Sequence, residues 1–262
     1  MKKLALILVL VCFIALLAGC GNYKNKIQMP PEPTAGNDGK VTILLDAGHG
    51  FRDVGCTSDH LEGKYEYELT MEFVNSLYGK LSDKGFEVLL THDGISYTSE
   101  EDIISRAEKY GIEFDADKFN VGNNNFEAYE RAIYSSVLDA EVEIDLMLSI
   151  HVNANANTDS VMGFEIDYCA ENESSPMTAF AFDSICDSLE RYFPERQLRK
   201  FADSFEMSFI VTKYNTMPSI LFETGYATTP GDAELILNSD WRDKLTDSLA
   251  EGIVDYFELK NE

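Results

Sequence analysis

Two hydrophobic periods alternate along this chain. Val41-Thr-Ile-Leu-Leu45 is a short, branched-rich run of the kind a strand buried on both faces requires. Leu69, Phe73, Leu77 and Leu81 then recur every four residues, with Met71, Val74 and Tyr78 beside them. This spacing predicts a helix over 66–81, stopped by Lys84-Gly85. Residues 86–91 read as a second strand, 126–140 as a helix and 144–150 as a third strand, with a further strand over 163–168. Residues 176–192 read as a helix, 205–212 as extended chain and 219–222 as a buried strand. Trp241, Leu245, Leu249, Ile253 and Phe257 close the chain on a long amphipathic helix. Strands alternating with helices predict an α/β fold: a single domain with a mostly parallel mixed central sheet flanked by helices. Residues 94–125 interrupt the rhythm. They are long, acidic and end in Gly122-Asn-Asn-Asn125, with a short helix expected near 100–110.

The first forty residues follow another logic. Lys2 and Lys3 precede an unbroken apolar stretch from Leu4 to Ala18, too short for a comfortable membrane span, which ends in Leu17-Ala18-Gly19-Cys20. That ending resembles a bacterial lipoprotein signal, which implies cleavage after residue 19 and lipid on Cys20. An uncleaved anchor or an ordinary secretory signal are the blander readings, and each also sends the remainder out of the cytoplasm. Residues 20–40, with Pro30, Pro31, Pro33, Gly36 and Gly39, read as a flexible linker. The folded domain is therefore expected over 41–262, with 94–125 as its insertion.

Composition narrows the partners. The 262 residues carry 46 Asp and Glu against 21 Lys and Arg, a formal charge of −25. Such a surface repels phosphate and argues against nucleic acid. Cys56, Cys169 and Cys186 show no CxxC spacing and form an odd set, so they read as small core hydrophobes rather than bridges or metal ligands.

The candidate chemistry gathers after three buried runs. The first leads to Asp46-Ala-Gly-His-Gly50, the second to His151-Val-Asn153 and the third to Glu223-Thr-Gly225. Open α/β sheets bind ligands at the carboxyl ends of their strands, so parallel neighbours would bring these groups into one crevice. Two imidazoles and a carboxylate with a position left open is a catalytic zinc arrangement. The chain has four histidines; His60 and His92 lie in looser contexts and read as structural.

In this order the motifs resemble the zinc-dependent N-acetylmuramoyl-L-alanine amidases of the Amidase_3 type. The resemblance runs from Asp46-Ala47-Gly48-His49-Gly50 and Phe51-Arg52-Asp53-Val54-Gly55 through Glu66 before Leu69-Thr70-Met71. It continues with Ser149-Ile150-His151-Val152-Asn153, Gly163-Phe164-Glu165 and Glu223-Thr224-Gly225-Tyr226. It implies that His49, Glu66 and His151 bind Zn2+ and that Glu223 is the general base and acid. Glu62 and Glu68 compete for the Glu66 assignment; Glu66 is preferred because it opens a helix clear of the core stripe. The implied substrate is peptidoglycan, cut between N-acetylmuramic acid and L-alanine, by an extracytoplasmic enzyme held to the membrane through its N-terminal lipid. An inactive peptidoglycan-binding lipoprotein and a zinc amidohydrolase for another amide remain the alternatives, and any activator protein is unspecified.

Overall fold

The computed structural model describes residues 39–260 apart from 51, 95 and 120–125. The signal segment, Cys20 and most of the linker lie outside the described residues. Six strands form one sheet: β1 (Thr42–Ala47), β2 (Glu87–Leu90), β3 (Leu146–Asn153), β4 (Phe164–Cys169), β5 (Leu198–Asp203) and β6 (Ser219–Tyr226), in the order β2-β1-β3-β6-β4-β5. The first four in that order are mutually parallel. β4 pairs antiparallel with β6 and parallel with β5, which makes the sheet mixed as the pattern predicts.

Among the described residues, seven helices accompany it: α1 (Glu66–Asp83), α2 (Glu100–Tyr110), α3 (Phe126–Val142), α4 (Ser175–Tyr192), the single turn α5 (Ile210–Lys213), α6 (Pro230–Leu237) and α7 (Ser239–Lys260). Strand alternation sorts the layers. Ile43 and Leu45 point with Leu148, Ile166 and Phe222 into a core completed by Phe73 of α1, Ile185 of α4 and Leu249 of α7. Leu44, Met147 and Leu221 point the other way, against Leu138 of α3 and Val211 of α5. Both faces of the central strands β1, β3 and β6 are thus covered, which explains why those strands read as continuous apolar runs.

Residues 94–125 are not a loose excursion where they are described. Ser99 caps α2 by accepting from Asp102 N at 3.2 Å. Ile103, Ala107 and Phe119 then pack on Tyr129, Ile133 and Val137 of α3 as a small core of their own.

Residues 205–212 correct the sequence reading. The strand in this region is Leu198–Asp203, and 210–213 form a helical turn. β5 is the sheet edge and has no fully buried side chain, so no hydrophobic run marks it. The alternation of Phe205, Met207 and Phe209 imitates a strand, but these side chains form an exposed apolar surface while Val211 packs on the sheet. The third strand also starts two residues later than 144 and runs on through Asn153.

Candidate metal centre

Order 2-1-3 in a parallel sheet creates a switch point between β1 and β3, where the connections leave in opposite directions. His49 follows β1 and His151 belongs to the last residues of β3, so both emerge there. His151 and Glu223 lie within extended strands rather than in the loops after them, and so are fixed by the sheet itself.

Packing forces the His49 turn into shape. Its φ is +65°, in the left-handed region that costs a non-glycine residue about 1–2 kcal/mol. Thr70 of α1 donates its hydroxyl to Gly48 O at 2.9 Å, and Gly48 N donates to Ile150 O at 2.8 Å. A Cβ on Gly48 would lie 2.4 Å from the His151 ring, so only glycine lets the turn approach that close. Asp46, fully buried, anchors the turn from beneath. It accepts from Thr91 Oγ1 at 2.6 Å, Ser149 Oγ at 2.6 Å and Arg131 Nε at 2.8 Å. Burial opposes its charge, but Arg131, His92 and the two hydroxyls hold its carboxyl below the usual range.

Glu66 opens α1 and points inward. Its Oε1 stands 3.2 Å from His49 Nε2 and 3.1 Å from His151 Nδ1. Cys56 N donates to its Oε2 at 2.7 Å and Val152 N to its Oε1 at 3.0 Å. Burial pushes this carboxyl upward, yet the two imidazoles outweigh it and hold the group well below the ordinary carboxylate range. The competing glutamates go elsewhere: Glu68 accepts from Tyr65 N in a cap, and Glu62 ends a 3-10 turn.

The donor set fits a zinc ion. One ligand atom from each of His49, Glu66 and His151 lies within 4.8 Å of the others, and no other such group occurs among the described residues. Asp53 Oδ2, an acceptor, sits 2.9 Å from His49 Nδ1, so that nitrogen carries a proton and Nε2 is the one directed at Glu66. That contact is favourable only with positive charge at it, either a proton on Nε2 or a cation between the two atoms. His151 Nε2 is buried and has no hydrogen-bond partner, a second sign of a ligand-seeking site. Burial lowers the His49 pKa, but Glu66 and Asp53 together raise it, so the pocket favours positive charge.

Glu223 lines the same cleft of about 510 Å³, opposite His151 across the β3–β6 pairing. Burial, then Glu66 and Glu165, push its pKa well above the usual range. Cys56 also lines the cleft, but burial and Glu66 push its thiol up; it donates to Val152 O at 3.3 Å and is no thiolate nucleophile. All three described cysteines are free. His92 is structural, its Nε2 2.9 Å from Ala47 O, and His60 is exposed.

Sequence reading did not single out Asp53, Arg131 or the Glu165 carboxylate as parts of this site. Asp53 stood in a quoted motif without a role. Arg131 lies inside an amphipathic helix, where nothing in the spacing separates it from a surface arginine.

Comparison with known proteins agrees over most of the chain. The sequence model of the family described as N-acetylmuramoyl-L-alanine amidase matches residues 43–255. The amidase AmiA of Escherichia coli K12 is 23% identical over 84% of this chain and 77% of its own. A solved N-acetylmuramoyl-L-alanine amidase of Clostridium difficile 630 is 24% identical with a TM-score of 0.61, covering 84% of this chain and 98% of that one. CwlD of Clostridioides difficile, solved in complex with the GerS lipoprotein, gives 18% identity and a TM-score of 0.65 over 84% and 100%. At these identities the solved structures establish the fold.

Proposed function

The chain belongs to the N-acetylmuramoyl-L-alanine amidase family, and on that premise we propose that it cleaves peptidoglycan as a zinc-dependent, lipid-anchored hydrolase outside the cytoplasm. The bond is the amide joining the lactyl group of N-acetylmuramic acid to L-alanine of the stem peptide. The observation that carries the reading is Glu66 Oε1 between the two imidazoles, with Glu223 in the same cleft.

His49, Glu66 and His151 would hold the zinc. When bound, the metal supplies Lewis acidity, polarising a carbonyl and acidifying water. Asp53 keeps the His49 ring in one tautomer, and the Asp46–Arg131 pair holds the turn from below. Glu223 takes a proton as water attacks the carbonyl carbon, then returns it to the alanine nitrogen as the C–N bond breaks. An acid forms on the lactyl side and an amine on the peptide side. Its burial beside two other carboxylates favours holding a proton between those transfers.

Mass spectrometry of products from purified sacculi tests the reaction. The expected product is intact stem peptide with a free L-alanine amine, formed with zinc and abolished by a chelator that binds it. Cleavage of any other bond contradicts the reading. For the anchor, Cys20→Ala should abolish lipid labelling and membrane fractionation; unchanged labelling would overturn that part.

A further inference from the structure

Beyond Glu223, the sheet face that carries the cleft goes on with polar side chains. One row of cross-strand neighbours crosses the sheet: His151 on β3 faces Glu223 on β6, Glu223 faces Glu165 on β4, and Glu165 faces Arg199 on β5. Register partners leave a sheet on the same side. The contacts agree, since Arg199 Nη1 donates to Glu165 Oε1 at 3.4 Å. Two strand spacings put the Arg199 backbone about 10 Å from that of Glu223. Glu165 is itself held by Tyr226 Oη at 2.5 Å and Asn153 Nδ2 at 2.7 Å, while Arg199 Nη2 donates to Gln197 Oε1 at 3.0 Å and the guanidinium lies 5.7 Å from the centre of the Tyr226 ring. The Arg199 side chain stays 24% exposed. Phe201, two residues along the same strand, and Phe209, on the cleft wall, are both exposed.

A second groove adjoins the cleft past the ends of β1 and β3 and has a different character. Next to Cys56 and Ala154, it is lined by Asp59, His60, Asn155, Asn157 and Asp159. It offers amides and two carboxylates but no lysine or arginine. The candidate metal centre thus has the arginine along the strand row from His151 and a polar acidic groove adjoining its cleft.

The substrate of the proposed reaction is two-sided in the same sense. A sugar with neutral hydroxyl and acetamido groups lies on the acyl side of the scissile amide. On the amine side is L-alanine followed by an acidic residue. A chain with a formal charge of −25 repels an anionic peptide over most of its surface. We propose that the stem peptide runs from the scissile amide along the His151–Glu223–Glu165–Arg199 row, where Arg199 determines specificity by pairing with the carboxylate of the second stem residue. The glycan then occupies the groove beside Asp59 and Asn155. An extended dipeptide spans at most about 7 Å, and the arginine side chain closes the remaining gap. A guanidinium fork matches a carboxylate with two parallel hydrogen bonds.

This inference rests on the amidase reading and is tested on two soluble muramoyl dipeptides. They differ in one group: the second residue is D-glutamate with a free α-carboxylate, or D-isoglutamine with an amide there. Wild type, Arg199→Gln and Arg199→Lys are assayed for kcat/KM on each by mass spectrometry, and thermal melting checks that each variant is folded. Wild type should prefer the carboxylate by about 10–100-fold, the worth of a charge-assisted hydrogen bond. Arg199→Gln should lose most of that preference and Arg199→Lys should keep part of it. A wild type without preference, or a preference that survives in Arg199→Gln, overturns the subsite. A wild type that cleaves neither compound with zinc supplied overturns the amidase reading itself.

Discussion

Glu223 stands directly across the β3–β6 pairing from His151, so a general base and a metal ligand would leave the sheet from adjacent strands. The two glutamates of the cleft differ in what surrounds them. Glu66 accepts from two backbone amides and touches both imidazoles, an environment that favours the charged form. Glu223 has a buried Oε2 without a hydrogen-bond partner, and burial beside other carboxylates raises its affinity for a proton. Pairs of titratable groups driven apart in this way divide acid–base work from charge-holding work.

Gly55 tests how tightly the proposed ligands are held. Its φ is +72°, and a Cβ there would lie 2.6 Å from Glu66 Oε2 and 2.8 Å from His49 Cδ2. Gly55→Ala should fold yet bind zinc about 10–100-fold more weakly, the typical cost of disturbing the groups behind metal ligands. Gly231→Ala, where nothing lies within 4 Å, is the control and should match wild type. Competition titration with a chromophoric chelator measures both; equal affinities would show that Gly55 does not constrain the site.

The buried Asp46–Arg131 pair should be worth most when it is broken from one side. Both side chains are almost fully buried, at 0% and 8% exposure. Arg131→Met leaves an unpaired carboxylate and should cost about 3–5 kcal/mol in urea unfolding. Adding Asp46→Asn should recover part of that loss. If the double variant loses the sum of both single losses, the two residues do not act as a pair.

The layers and the ends of most elements were legible because buried strands and amphipathic helices impose different periods. Val41–Leu45 and the fourfold spacing from Leu69 to Leu81 each fit a single template. β5 was not legible, since an edge strand needs no continuous apolar face, and Phe205, Met207 and Phe209 supplied a false one. Among site residues, His49, His151 and Glu223 were marked by the runs before them. Glu66 was chosen by its place at a helix start, which does set it facing the two imidazoles. Arg131 and the Glu165–Arg199 row could not be read, because their meaning lies in strand register and helix packing, not in local spacing.

Asp167 should make the fold sensitive to pH. It lies on β4 with both carboxylate oxygens buried and without hydrogen-bond partners. Burial, with Asp203 beside it, pushes its pKa up to about 7. In the unfolded chain the group ionises near 3.8, so the folded state binds the extra proton between those values. Stability is therefore lost as pH rises from about 4 to 7, and the loss is complete above 7. Asp167→Asn should be more stable than wild type at pH 8, on the order of 2–4 kcal/mol, with the difference vanishing near pH 4. Urea unfolding across that range measures it; a difference independent of pH would contradict the assignment.

The central claim, that three residues hold zinc while Glu223 moves the proton, is tested most directly by zinc content measured beside the amide-hydrolysis rate in Glu66→Gln and Glu223→Gln. Glu223→Gln should fold and keep its zinc, but lose about 10²–10⁴-fold in turnover, the usual worth of general acid–base catalysis. Glu66→Gln should purify with little zinc. If Glu223→Gln arrives without zinc while Glu66→Gln keeps both zinc and activity, the two glutamates have been given each other's roles.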